Sequence, residues 1–356
     1  MQPGSGARQK FDPGRFALAV AISIVGGLLF TWLTMPLPWL LGPMVLNTIA
    51  ALSRAPVQGP VAIRPYVIVV IGVMLGSGFT PDLLDRLAVW GVSLGFAVVY
   101  LACAALITIP YYRLIGGFDP ATSYFCAMPA GLSEMTVIGK AMGADDRRIA
   151  LAHASRILIV VISLGVWFRL FSGLDLGDGI SGGTSVRDTP SLELVKLSAV
   201  GVAGFFLGRR LRLPAPTLLG PMILSAGLYV SGIVSAPPPS ELVLAAQLLL
   251  GTIIGCRFVG MSPRVVGGAL IMGLGAAALL LGLTVLFAMV LMGVLQRDFL
   301  AILLAFAPGG LTEMSLIALA IGVDVGYVSS HHVVRVACVV AFAPLIFRLW
   351  RRFSGK

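Results

Sequence analysis

Apolar stretches of near-spanning length recur almost from end to end of this 356-residue chain, and charged residues make up only 11% of it. With 58% hydrophobic residues and a mean hydropathy of +0.99, the pattern predicts an all-α polytopic membrane protein. A soluble chain of this length would need a far more charged surface to stay dispersed. Arg8, Lys10 and Arg15 precede the first apolar run, 16–33, in the manner of a signal peptide. No small-residue cleavage site follows it and many spans come later, so it is expected to stay as the first helix.

Across this apolar background the chain says nearly the same thing twice. Pro129-Ala130-Gly131-Leu132-Ser133-Glu134-Met135 returns as Pro308-Gly309-Gly310-Leu311-Thr312-Glu313-Met314. Further on, Gly143, Asp145, His153 and Arg156 match Gly322, Asp324, His332 and Arg335. Two earlier blocks keep the same spacing. Leu41-Gly42-Pro43-Met44 faces Leu219-Gly220-Pro221-Met222, where proline removes a helical hydrogen bond and is expected to bend or interrupt the second helix of each half. Gly72 and Gly76 face Gly251 and Gly255, a small-xxx-small spacing that lets another helix backbone come close. Internal symmetry of this kind is common among secondary transporters. The expected organisation is a first membrane repeat over 1–172, a flexible Gly/Ser-rich linker over 173–190 and a second repeat over 191–356.

The expected spans are 16–33, 39–56, 64–80, 88–110 and 150–170 in the first half, with 192–208, 217–234, 242–260, 267–294 and 328–347 in the second, about ten in all. The Pro-Gly-Glu segments 121–143 and 299–322 remain. If each of these spans fully, Arg147 and Arg148 fall opposite the N-terminal cations. If each enters and leaves on one side, most of the arginines gather on one face, as the positive-inside rule prefers. Arg86, Arg187 and Arg297 are the exceptions. The second arrangement gives five crossings per half, hence inverted repeats with two broken or re-entrant segments and both termini cytoplasmic.

An unpaired carboxylate in hydrocarbon is costly and marks a functional site by default. Two broken segments brought together from opposite leaflets would make a polar site near mid-membrane. Glu134 and Glu313 are therefore the candidate ion-coupling and substrate residues, with hydroxyls from Ser133 and Thr312 and backbone from Gly131, Gly310, Pro129 and Pro308 beside them. The alternative is a local lock, each Glu neutralised by Arg156, Arg335 or Lys140. His153 and Arg156, and likewise His332 and Arg335, share a helix face at a spacing of three, as proton relay or charge partners. His331 faces Ala152 in the repeat and is expected to matter less, while Asp145 and Asp324 are expected to cap the helices that follow.

The net charge of +10 beside apolar spans marks membrane sidedness, so nucleic acid is not expected as a partner. Four cysteines lie in apolar runs without ligand spacing, and no local cluster supplies three convergent zinc ligands. No metal, cofactor or Walker A motif is expected, and ATP drive and enzymatic activity are not.

The paired motifs, from Leu-Leu-Gly-Pro-Met to the His332–Arg335 segment, resemble the AbrB-type membrane protein family, a group with two copies of a membrane domain often labelled ammonia monooxygenase or regulator. That resemblance covers almost the entire chain. It implies a link to regulation of gene expression. A more distant likeness to inverted-repeat antiporters and symporters implies carriage of a small solute. The expectation is a secondary transporter of the bacterial inner membrane, surrounded by lipid, coupled to a proton or sodium ion, with homo-oligomerisation open. A membrane sensor is the alternative.

Overall fold

The computed structural model describes residues 11–79, 83–171, 184–213 and 215–353. Among them fourteen α-helices follow one another. The first seven are α1 (Pro13–Trp32), α2 (Pro38–Leu52), α3 (Arg64–Ser77), α4 (Leu83–Pro110), α5 (Pro120–Ala127), α6 (Leu132–Ala141) and α7 (Asp146–Phe171). The second seven repeat their order: α8 (Ser191–Arg210), α9 (Pro216–Val230), α10 (Ser240–Gly255), α11 (Pro263–Leu295), α12 (Phe299–Phe306), α13 (Leu311–Ala320) and α14 (Val325–Phe353). The short pair α5 and α6, of 8 and 10 residues, has its counterpart in α12 and α13, of the same lengths.

Among the described residues seven helices are long and apolar enough to cross a membrane: α1, α4, α7, α8, α10, α11 and α14. The other expected spans, α2, α3 and α9, hold 14 or 15 residues, about 22 Å of helix at 1.5 Å per residue. They lie inside the bundle. Leu40, Leu41 and Met44 of α2 and Leu218, Leu219 and Met222 of α9 all belong to the main apolar core, whereas α1 and α8 turn large apolar side chains such as Trp32 and Phe206 outward.

Glycine sets the closest contacts. A methyl group on Gly72 or Gly76 of α3 would strike the Leu218 or Met222 carbonyl of α9, and one on Gly251 or Gly255 of α10 would strike Leu40 or Met44 of α2. The small-xxx-small spacings thus interleave the two halves, α3 on α9 and α10 on α2. The Gly-Pro steps do not interrupt their helices, since α2 and α9 run on past Pro43 and Pro221. Their glycines instead let backbones meet within each half, Gly42 against Gly26 and Gly220 against Gly204. Ser23, Asn47 and Thr252 join α1, α2 and α10 by buried hydrogen bonds.

Helix directions can be read from side-chain pairs. Tyr111 Oη donates to Met272 O at 3.0 Å and Tyr100 Oη meets Thr284 Oγ1 at 3.0 Å, so α4 and its counterpart α11 run antiparallel. Gly273 of α11 faces Ser155 of α7, and Trp167 of α7 meets Phe299 just beyond α11, so these two run parallel. Hence α4 and α7 are antiparallel, and the α5–α6 segment between them starts and ends at one face of the bundle. Its roots touch there: Asp145 N–H donates to Thr122 Oγ1 at 2.9 Å and Arg148 lies over the Phe118 ring. In the second half the roots of α12 and α13 lie at the opposite face, tied by Arg297 to Asp324 at 3.6 Å.

Asp119 and Asp298 cap the incoming arms, accepting from Thr122 N–H and Ala301 N–H. Burial alone would raise the Asp119 carboxyl, but hydrogen bonds from Thr122 and Ala121 outweigh it and hold the group below the ordinary carboxylate range. Asp145 and Asp324 cap α7 and α14 as expected, through Arg147, Arg148 and Tyr327 N–H. Of the linker expected over 173–190, residues 173–183 lie outside the described residues; beyond them Ser185 Oγ and Val186 N–H bind the Glu241 carboxylate at the start of α10.

Candidate functional site at the paired hairpin tips

Breaking a helix leaves the last carbonyls of its first arm without partners, a cost that apolar surroundings magnify. The His-x-x-Arg pairs meet that need. Arg156 donates to Cys126 O at 3.1 Å and Met128 O at 3.4 Å, and His153 Nε2 bonds Phe125 O at 3.0 Å. In the second half Arg335 donates to Ala307 O at 2.6 Å and Gly309 O at 2.7 Å, and His332 Nε2 bonds Leu304 O at 2.9 Å. A carbonyl cannot donate and a guanidinium cannot accept. Each ring therefore carries its proton on Nε2 and accepts from its arginine at Nδ1, at 3.1 Å in the first half and 2.9 Å in the second. The geometry gives both histidines a positioning task at the break.

The second arms begin at the tips. Gly131 and Gly310 precede α6 and α13, and Glu134 and Glu313 sit in the first turns. Both carboxylates fold back over their own helix starts: a methyl group on Gly131 would overlap Glu134 Oε2, and one on Gly310 would overlap Glu313 Oε2. An acidic residue here complements the helix dipole and the free N–H groups. This capping is a second use of each Glu. The partners considered for a local lock are engaged elsewhere, Arg156 and Arg335 on backbone carbonyls and Lys140 on Asp146 at 2.9 Å.

One chamber of about 220 Å³ is lined by both tips, Gly131–Glu134 from one hairpin and Gly310–Glu313 from the other. Arg335 is also in its wall; Pro129, Pro308, His153, His332 and Arg156 are buried and do not line it. The start of α9 contributes Pro216, Thr217 and Leu218. Arg64 and Arg257, which the sequence marks only as two of the arginines gathered on one face, also border the chamber. Their positions, one opening α3 and the other just past α10, carry no motif that would have drawn them together. Among the described residues no three His, Cys, Asp or Glu side chains group as metal ligands.

A wider chamber of about 920 Å³ adjoins it, sharing Arg64, Arg257, Leu132 and Ser133 and opening among the start of α7 and the stretch after α10. This is the face where the first hairpin is rooted. Nearer the opposite face, side chains from the early turns of α4 and α14 join one another. Ser93 Oγ bonds both Tyr327 Oη and His331 Nε2, the Tyr327 ring meets the His331 ring at a tilt, and Arg297 lies over the rings of Trp90 and Tyr327. His331, expected to matter less, is 1% exposed and sits at the centre of this cluster. Its role has no counterpart in the first half because Ala152 stands there.

Together these features define a multi-pass helical membrane protein whose two broken-helix hairpins share one chamber. Comparison by sequence places it more narrowly: the chain matches the family described as transition state regulatory protein AbrB over residues 39–351, and it belongs to that family. It is 25% identical to "Uncharacterized protein YhjN" of Bacillus subtilis (strain 168), over 95% of this chain and 93% of the relative. It is 24% identical to "Putative regulator AbrB" of Escherichia coli (strain K12), over 96% of this chain and 98% of the relative.

Proposed function

We propose that this chain is an ion-coupled secondary transporter of a small solute in the bacterial inner membrane, built from inverted repeats of five crossings and one re-entrant hairpin each. The observation that carries the reading is the single chamber bordered by both tips, whose hairpins have their roots at opposite faces of the bundle. A site reached by half-length elements from both sides is what alternating access requires. The antiparallel course of α4 and α11 supports inversion. In this reading α2, α3 and α9 also cross, shortened by their place inside the bundle.

Arg209, Arg210, Arg351 and Arg352 lie in the last turns of α8 and α14, and Arg212 just past α8, at the face of the wide chamber, so the positive-inside rule makes that face cytoplasmic, with both termini there. The conformation then is open inward and closed outward by the Ser93–Tyr327–His331 lock. Glu134 and Glu313 are the proposed sites of proton or sodium coupling, with Ser133 and Thr312 beside them. Glutamine can still fold back over the helix start, so Glu134→Gln and Glu313→Gln remove charge while keeping the cap. In proteoliposomes with proton and sodium gradients imposed separately, each variant is expected to lower coupled flux about tenfold or more, the cost of losing one charge-assisted contact. Unchanged flux in both, with folding intact, removes the assignment.

A second reading, a membrane sensor acting on gene expression, draws on the regulatory words in the family description and in the Escherichia coli relative's name. It predicts saturable solute binding without flux in the same vesicles.

A further inference from the structure

The transport reading leaves the solute unnamed, and two guanidinium groups bear on its chemistry. Arg64 opens α3 and Arg257 follows α10, so the pair comes from different halves, yet both residues border the small chamber and the wide one. Among the described residues neither arginine has a carboxylate within ion-pair distance. Nε of Arg64 is buried without a hydrogen-bond partner, as is Nε of Arg335 in the same wall. Like charges held close together and partly out of water repel one another and lose solvation, a cost that an anion between them removes.

The scaffold does not explain the pair. The offset that sets Gly72 against Gly251 sets Gly78 against Arg257 and Val243 against Arg64, so the counterpart helix forms and packs through its glycines in the other half without the matching cation. A topology signal does not explain it either, because a cation that marks sidedness needs only the membrane border, not a buried Nε in a cavity wall. Around the arginines the chamber is mixed in character: Ile68, Ile157, Leu218 and Val336 give apolar surface, and Thr217 and Thr312 give hydroxyls.

We propose that Arg64 and Arg257 hold the acidic group of a small carboxylate-bearing organic anion, whose body lies against Ile68, Ile157, Leu218 and Val336 in the 220 Å³ chamber. Planar guanidiniums suit a carboxylate because two parallel N–H donors match its two oxygens. The inference rests on the transport reading for its purpose, but its test is separate. The purified full chain in nanodiscs is titrated with acetate, butyrate, succinate and citrate, and with butyramide and succinamide as uncharged counterparts. At least one acid is expected to bind saturably while the amides do not, and Arg64→Gln or Arg257→Gln is expected to weaken binding about tenfold or more.

Phenylglyoxal modification of the unmutated protein, read by peptide mass spectrometry, gives the same answer without a folding risk: the bound acid is expected to slow modification of Arg64 and Arg257. Binding of none of the acids, equal binding in both glutamine variants, or modification rates untouched by acid would each overturn the anion site. Acid binding without flux in vesicles would instead count against transport and leave the anion site standing. Flux of a neutral solute preserved in both glutamine variants would do the reverse.

Discussion

At the scale of single residues, the duplicated motif divides its labour between holding the break and facing the chamber. Arg156 and Arg335 are 1% and 4% exposed and spend their Nη groups on carbonyls that the broken helices leave open. His153→Ala and His332→Ala strip one donor and one acceptor from each network, and a buried polar group left unmatched costs about 1–3 kcal/mol. Both variants are expected to lower the thermal unfolding midpoint in detergent, with the glutamine variants at the same positions falling less. An unchanged midpoint in the alanine variants would mean the histidines do not hold the break. Gly131 and Gly310 are constrained for another reason, since any Cβ there displaces the folded-back Glu. Gly131→Ala and Gly310→Ala are expected to abolish flux at near-normal folded yield, while Gly227→Ala, with open space around it, leaves flux unchanged.

At the scale of elements, the glycine spacings were legible because close helix approach has a simple signature: two missing side chains one turn apart. Gly76→Val and Gly255→Val push side chains into Ser225 and Met222 or into Asn47 and Met44, and both are expected to reduce folded yield sharply against a Gly282→Val control in open space. Size-exclusion profiles of the three variants decide the point. Of the bend or interruption expected at the Gly-Pro steps, the interruption does not occur. Proline costs one hydrogen bond, and the tight backbone contacts of Gly42 and Gly220 with α1 and α8 hold the helix through it. The acidic residue of each tip was legible as unusual but not as a helix cap, because capping depends on where the helix begins. Arg64 and Arg257 were illegible as a pair, for nothing in the chain's local order says that the start of α3 and the end of α10 converge.

At the scale of the whole molecule, the two halves match in the order of their helices and differ in how their hairpins are seated. Arg335 reaches carbonyls two residues further along its motif than Arg156 does. The arm α13 is enclosed, with Leu316 and Ile317 fully buried, whereas α6 leaves Val137 69% exposed. That inequality fits the proposed state, open on one face and closed on the other by Ser93, Tyr327 and His331. His331→Ala combined with Tyr327→Phe is expected to let an impermeant thiol reagent reach Thr312→Cys from the closed face, where the parent stays protected; equal protection would remove the lock.

The central claim is that the hairpins dip toward one another from opposite faces of the membrane. In oriented vesicles, with the four native cysteines replaced by serine, a single Arg147→Cys at the root of the first hairpin and a single Gln296→Cys at the root of the second are labelled with an impermeant maleimide from each side in turn. The account predicts that the first is labelled only from the cytoplasmic side and the second only from the opposite side. Labelling of both from the same side would contradict it.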